Sequence, residues 1–374
     1  ESTVVNERET FVLRALEPGA NVAELCREAG ISRKTGYKWL QRFRERGMEG
    51  LHDLSRRPHM SPLRCPGEVV LRIIELRRAH PRWGAKKLHA VLRRGVDAGE
   101  VPSVRTIARV LDRAGLVQPR RRRRSAQGPS ERPTPDVAGP NDVWTVDFKG
   151  WWRTTDGAKA EPLTVRDAWS RYVLEATLME RTTKVDVQLV FLRLFQDHGL
   201  PRAIQVDNGA PFACTRSAGG LTRLSAWWVS LGIHLVRGRP AHPQDNGGHE
   251  RMHLDMRYEV EDVAAGTLSE QREALARWRV EFNEVRPHEA LDMKTPAEVY
   301  RRSPRPYAGP RTPFYPSAFE TRMVNAKGYV KLRGQRYYVS LAVAGRAIGL
   351  VEIEPGQLSM RYFDHDLGVL TVAA

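Results

Sequence analysis

Cysteine is scarce in this chain. Only Cys26, Cys65 and Cys214 occur among 374 residues. None forms a Cys-x-x-Cys pair, which excludes a disulfide framework and the common zinc-finger spacings; His52, His59 and Cys65 lie close in sequence but match neither. Long apolar runs and an export signal are missing too, so no membrane span is expected. Acidic excess is absent: 60 Lys and Arg face 44 Asp and Glu, a formal net charge of +16. The positive charge is crowded at one end. Residues 1–124 hold 28 Lys and Arg against 14 Asp and Glu, so nearly all the surplus lies in the first third. That asymmetry suits a polyanionic partner, nucleic acid ahead of a membrane surface. Unpaired cysteines fit a reducing, cytoplasmic setting. The length predicts two to four domains.

The first third reads as paired helical modules. Apolar Phe11, Val12, Ala15 and Leu16 predict a helix over 6–16, ended by Pro18-Gly19. Asn21 caps a second helix over 22–29, and Ser32 a third running to about Arg46. Two short helices about the small turn Ala29-Gly30-Ile31 make a helix-turn-helix pattern. The third helix offers Arg33, Lys34, Thr35, Lys38, Gln41 and Arg42 outward for a DNA major groove, with Tyr37, Leu40 and Phe43 packing inward. Residues 50–66 read as a linker in which Arg56 and Arg57 follow a minor groove or phosphates, or are a solvated tether. A second such module covers 67–117. In it Ser103 caps a helix that carries Arg105 and Arg109 as DNA contacts. Residues 118–140 are a basic, Pro-rich linker whose run Arg120, Arg121, Arg122, Arg123 and Arg124 suits backbone phosphate without sequence preference.

From residue 141 the pattern becomes mixed α/β. Strands are predicted at Val143–Phe148, Pro162–Asp167, Arg171–Leu178, 203–206 and 233–236. Helices are predicted over 183–198, 221–231, from Asp245 or Asn246 to about Val260, and over 269–284. Pro and Gly thicken over 303–316. The tail, 321–374, returns to short strands separated by glycine turns, and a small β-barrel is the natural packing.

Three acids stand out by position. Asp147 ends a strand, Asp207 follows another in Asp207-Asn208-Gly209, and Glu250 falls in the first turns of a helix. If the two strands are neighbours, all three carboxylates meet. Hard oxygen donors so arranged suit two Mg²⁺ ions about 3.5–4 Å apart, which serve phosphoryl transfer by activating the attacking oxygen and stabilising the leaving one. Asp147 would bridge the ions, with Asp207 on one and Glu250 on the other. Taken singly, Asp207 also reads as a turn residue and Glu250 as a surface acid. Asp167, the main rival carboxylate, reads as a structural group or as one that supports the site from behind. His253 and Arg257, at i+3 and i+7 from Glu250, either touch DNA phosphate or form a solvated face.

Three segments carry a family resemblance: Trp144-Thr145-Val146-Asp147-Phe148-Lys149-Gly150, His198-Gly199-Leu200-Pro201 through Asp207-Asn208-Gly209-Ala210-Pro211-Phe212, and His242-Pro243-Gln244-Asp245-Asn246-Gly247 through Glu250-Arg251. With Asn283-Glu284-Val285-Arg286-Pro287-His288 they resemble the DDE transposases of bacterial insertion sequences, in the retroviral integrase superfamily. The resemblance spans nearly the whole chain. It implies tandem helix-turn-helix domains (1–49 and 67–117), a ribonuclease-H-like core (141–302), a linker (303–320) and a C-terminal β-barrel (321–374). It implies Asp147, Asp207 and Glu250 as catalytic and metal-ligating residues, with Mg²⁺ or Mn²⁺, two ions per site. It also implies double-stranded DNA, element ends and target, as partner; a homodimer or larger assembly; a bacterial cytoplasm near the nucleoid; and end cleavage followed by strand joining. Gly248 departs from the basic residue that relatives often carry there. The competing readings are a catalytically inactive DNA-binding regulator and a ribonuclease-H-like nuclease that cuts without joining.

Overall fold

In a computed structural model of the chain, residues 2–53, 65–95, 101–117, 137–180, 182–238 and 246–372 are described. The chain divides into two compact units, Glu1–Pro66 and Gly67–Ala374. The first holds α1 (Ser2–Ala15), α2 (Val22–Glu28), α3 (Arg33–Arg46) and a closing 3-10 turn at Gly47–Leu51. Asn21 caps α2 through the backbone N–H groups of Ala23 and Glu24, and Ser32 caps α3 by accepting from Thr35 N at 3.1 Å. Phe11, Val12, Leu25, Cys26, Leu40 and Leu51 form the core.

Two expectations change here. Helix α1 starts at Ser2 rather than residue 6; Val4 is exposed and Val5 half-buried, so periodicity has little there to register. Tyr37, expected inside, is 59% exposed. Gly36 takes the inward position instead. Gly36, Leu40 and Phe43 share one face at i, i+4 and i+7, and Tyr37 lies about 100° away from it. A Cβ on Gly36 would meet Cys26 Sγ at 2.5 Å, so α3 rests its backbone directly on α2.

The second unit opens with α4 (Gly67–Ala79), α5 (Ala85–Arg94) and α6 (Val104–Arg113). Their core is Ile73, Trp83, Leu88, Leu92, Ile107, Val110 and Leu111. This trio docks on the mixed domain through polar contacts. Arg94 Nη2 meets Glu298 at 2.8 Å, Lys86 meets Glu289 at 3.1 Å, and the Arg82 guanidinium lies 3.4 Å from the Tyr258 ring centroid.

The mixed domain runs β1 (Val143–Phe148), β2 (Trp152–Arg153), β3 (Lys159–Ala160), β4 (Pro162–Asp167), β5 (Val173–Leu178), α7 (Lys184–His198), β6 (Ala203–Val206), α8 (Arg223–Ser230), β7 (His234–Arg237), α9 (Gly247–Met256), α10 (Leu268–Val280) and α11 (Pro296–Val299). The main sheet has the order β5-β4-β1-β6-β7. β1, β4 and β5 pair antiparallel, whereas β6 joins β1, and β7 joins β6, in parallel. This is the ribonuclease-H-like core. The small β2–β3 hairpin was not expected; two-residue strands carry no readable alternation. β5 starts at Val173 rather than 171 because Arg171 takes a left-handed φ of 63°.

Strand alternation sorts the faces. Trp144, Val146, Leu163 and Val165 join Phe191 and Phe195 of α7 and Trp228 of α8 in one layer. On the other face α9 and α10 pack Met252, Met256, Leu275 and Trp278 against β5. Asp147 therefore looks toward the α9 side.

The tail contains β8 (Glu320–Met323), β9 (Tyr329–Leu332), β10 (Gln335–Tyr338), β11 (Ala347–Glu354), β12 (Gln357–Tyr362) and β13 (His365–Thr371). A four-stranded antiparallel sheet, β13-β12-β11-β8, and the β9–β10 hairpin form its walls. Val330, Leu332, Ile348, Leu350, Met360 and Tyr362 fill the space between and meet Ala226 and Val229 of α8. β8 was not expected, since all four of its residues are exposed and Glu320 and Arg322 interrupt it.

Candidate active site and nucleic-acid surfaces

Strand register brings the first two acids together. Val143, Trp144 and Thr145 pair with Ala203, Ile204 and Gln205. Carried on by two residues, that register sets Asp147 opposite Asp207, both at the carboxyl ends of parallel neighbours. Asp207 is exposed and accepts from Gly209 N at 3.1 Å, while Asn208 Nδ2 donates to Gly238 O at 2.8 Å. Asp147 is more enclosed. Burial first, then the charge of Asp207, with a smaller push from Glu250, raises its pKa from 3.8 to about 7; a hydrogen bond from the Phe148 backbone works against them. Glu250 is exposed on the first turns of α9. Among the described residues no three His, Cys, Asp or Glu side chains are close enough together to hold one metal ion. The charge of Asp207 acts on Asp147 more strongly than that of Glu250.

α9 is held over β1 and β4 by a polar chain. His249 is fully buried. Its Nδ1 lies 2.8 Å from Thr145 Oγ1 and its Nε2 lies 2.6 Å from Thr164 Oγ1. Thr164 Oγ1 is also 2.8 Å from His253 Nε2 and donates to Asp147 O at 2.9 Å. One hydroxyl proton given to Asp147 leaves Thr164 to accept from both imidazoles, which fixes each histidine as its Nε2–H tautomer. Burial lowers the pKa of His249 well below 6.5, and that of His253 to about 3, so both rings are neutral.

His253 therefore needs correcting. Expected to face DNA phosphate or solvent, it turns inward, with its Nδ1 3.9 Å from Asp147 Oδ2. A neutral, buried imidazole is no phosphate-neutralising cation. Arg257 stays at the surface, 3.6 Å from Asp262. Asn246 occupies the N-cap of α9 at φ −110° and ψ 22°, and its side chain makes no capping hydrogen bond. Asp245 lies outside the described residues. Gly248 has a steric reason for lacking a side chain, since a Cβ there would meet the buried Arg166 Nη1 at 2.5 Å.

Asp167 is structural, as expected. Buried completely, it accepts from Asn141 N at 2.7 Å, Ser170 N at 2.8 Å and Ser170 Oγ at 2.6 Å. The segment 283–288 is structural as well. Asn283 bonds both N and O of Val173 at 2.8 and 2.9 Å, and Arg286 gathers Asp255 at 3.3 Å, Glu281 at 2.9 Å and Glu259.

On α3, Arg33, Lys34, Lys38 and Gln41 are exposed and Thr35 and Arg42 half-buried. Gln41 donates to Glu45 at 2.9 Å. Tyr37 joins this outward face, an aromatic between basic neighbours. Arg105 and Arg109 are exposed on α6. Arg56, Arg57 and the run Arg120 to Arg124 lie outside the described residues. No helix among the described residues is long and apolar enough to cross a membrane.

Two integrase core domain models match the chain, over residues 137–243 and 231–296. A helix-turn-helix domain matches 7–59 and a homeodomain-like domain 35–111. The chain is 25% identical over 289 residues, 76% of its length and 93% of the relative's, to an uncharacterized 31.7 kDa protein of insertion element IS407 from Burkholderia multivorans. To a 39.2 kDa protein of insertion element IS476 from Xanthomonas euvesicatoria it is 27% identical, over 70% of this chain and 73% of that one. Integrase core and helix-turn-helix domains in one chain, together with these insertion-element relatives, support a DDE transposase of the retroviral integrase superfamily. That superfamily's chemistry is polynucleotidyl transfer. Solved structures similar to this chain include the magnesium complex of the HTLV-2 integrase catalytic core, 17% identical with a TM-score of 0.35 over 44% of this chain and all of that one. A simian T-cell lymphotropic virus intasome matches 81% of this chain and 99% of its own at 16% identity and a TM-score of 0.38.

Proposed function

We propose that the chain binds the ends of its insertion element in double-stranded DNA, cleaves to free 3′-hydroxyls and joins them to target DNA. The observation that carries this is the β1–β6 register, which sets Asp147 opposite Asp207 with Glu250 within electrostatic reach. The donor set is all carboxylate oxygen, suited to Mg²⁺ or Mn²⁺. Asp147 also fits such a tenant: its carboxyl is pushed up by burial and then by the charge of Asp207, and a divalent cation would relieve that repulsion. Asp147 and Asp207 would hold the ions with Glu250 completing the set. When bound, two such ions would polarise the scissile phosphodiester and activate the attacking oxygen.

The protein's own contribution is placement. β1 and β6 deliver two carboxylates from rigid strand ends. The chain Thr145–His249–Thr164–His253 fixes the pitch of α9, and with it the approach of Glu250. Neutral histidines there add no positive charge that would compete with a cation. The outward face of α3, with Arg33, Lys34, Thr35, Lys38, Gln41 and Arg42, is suited to reading one segment of an end. Arg105 and Arg109 on α6 are suited to a second, so the linked modules raise effective affinity. Arg56, Arg57, Arg120 to Arg124 and Arg257 would add phosphate contacts. Two ends must be handled together, which calls for a homo-oligomer on DNA.

The test is Asp207→Asn. With labelled end DNA, target plasmid and Mg²⁺, joined product should disappear while end binding stays within a few-fold of wild type. Joining that survives the substitution removes Asp207 from the reaction.

A further inference from the structure

A cleft of ≈ 250 Å³ opens where α5, the β4–β5 turn and the start of α9 meet. Lys87, Arg166, Arg171 and Arg251 line it. Two carboxylates share the lining, and both are already engaged. Asp255 faces Arg286 at 3.3 Å and Arg251 at 3.7 Å, and Glu289 takes Lys86 at 3.1 Å. Among the described residues, no ion pair or hydrogen bond reaches the side chains of Lys87, Arg166 or Arg171.

Arg166 is the decisive member. It is only 5% exposed, yet its guanidinium, with five N–H donors, finds no protein acceptor among the described residues and opens only to the cleft. Burial, together with the neighbouring Arg171 charge, pulls its pKa down to about 10, against a smaller opposing pull from Asp167. His288, 8% exposed on the same lining, leaves its Nε2 without a partner as well. A buried charge without a paired counter-charge is strongly unfavourable, and packing supplies no reason for like charges to converge here. Gly248 completes the arrangement by leaving room for the Arg166 guanidinium over the first turn of α9, whose backbone N–H end is itself electropositive.

We propose that this cleft is a phosphate-binding site in which Arg166, Arg171, Lys87 and Arg251 converge on one tetrahedral oxyanion. Guanidinium forks match phosphate oxygens two at a time, and the Lys87 ammonium adds a point charge from the second helical module. An occupied cleft ties that module to the core. The phosphate has two sources, a phosphodiester of bound DNA or free phosphate, and only the first rests on the transposase reading.

The experiment uses the full chain and two variants, Arg166→Met and Lys87→Gln. Thermal unfolding is compared in inorganic phosphate and in chloride at equal ionic strength. End-DNA affinity is measured across a salt series. For a DNA source, the slope of log affinity against log salt falls by about 0.9 for each phosphate that a variant no longer neutralises. For free phosphate, phosphate raises the wild-type melting temperature, the variants lose that rise, and the DNA slopes coincide. Should Arg166→Met fail to fold, Lys87→Gln on the half-buried face of α5 decides alone. Wild-type behaviour of the folded variants in both assays overturns the site. A chain that binds no DNA at all sinks the transposase reading and leaves the phosphate arm standing.

Discussion

Replacing Asp147 by asparagine should abolish strand joining and, without divalent metal, make the protein more stable. The reasoning is electrostatic. The folded state holds this carboxyl at about 7 against 3.8 for an unconstrained one. An acid whose pKa is raised by folding is harder to ionise in the native state. Its ionisation therefore subtracts stability as pH climbs from the unfolded value to the folded one, and the whole loss is present above pH 7. At 1.36 kcal/mol per pKa unit the ceiling is roughly 4 kcal/mol at pH 8, falling to about 2 kcal/mol at pH 5. The side chain keeps 28% of its surface accessible, and solvent screens what it reaches. We therefore expect Asp147→Asn to gain about 1–3 kcal/mol at pH 8 and clearly less at pH 5. Urea unfolding of both proteins in a chelating buffer at the two pH values measures this. Mg²⁺ should then narrow the gap by stabilising wild type alone. A variant no more stable than wild type at pH 8, or equally stabilised at both pH values, would refute the account of why this carboxyl is costly.

Other outcomes follow from the same geometry. Arg286→Met leaves Asp255, Glu259 and Glu281 facing one another without their shared cation, and should destabilise the second unit by about 3–5 kcal/mol in denaturant unfolding. Gly36→Ala forces a methyl toward Cys26 Sγ and should cost the first unit about 1–3 kcal/mol while leaving unfolding of the remainder unchanged. His249 and His253 are buried neutral, so the unfolded chain takes up their protons first. Their contribution is fully present above pH 6.5 and is lost as pH falls; for His253 the loss runs down to about pH 3 and amounts to roughly 2 kcal/mol by pH 5. The Asp147→Asn background isolates that loss, because the opposing carboxyl is gone; flat stability between pH 7 and 5 there would contradict the buried-neutral assignment.

The helices α2, α3 and α6 were legible because polar caps announce them, Asn21, Ser32 and Ser103 each accepting from the first turn, and α7 by its apolar face of Val187, Phe191, Leu194 and Phe195. β1, β4 and β6 were legible as apolar runs, and Asp147 and Asp207 as the acids that end two of them. What escaped depends on tertiary context. Tyr37 was placed inside because aromatic residues usually are, yet a glycine took its position where two backbones touch. His253 was placed outside by helical spacing from Glu250, which does not reveal that Thr164 on a distant strand offers its hydroxyl to two imidazoles. β8 was invisible because a strand with both faces wet shows no alternation. Arg166 read as an ordinary strand residue; only folding shows it meeting three other cations in one cleft with no ion pair of its own.

The pairing of β1 with β6 sets a rule for which changes in length this protein tolerates. The interval between Asp147 and Asp207 is crossed by a hairpin, two strands and a helix, and its loops can grow or shrink with little effect on where the two strands lie side by side. A deletion of one residue inside Ala203–Val206 is another matter. The period of a strand is two, so such a slip turns Asp207 away from its neighbour and swings Ile204 out of the interior. Variation in chain length should thus collect in the connections and vanish from four consecutive positions, a pattern that random insertion mutagenesis would expose directly.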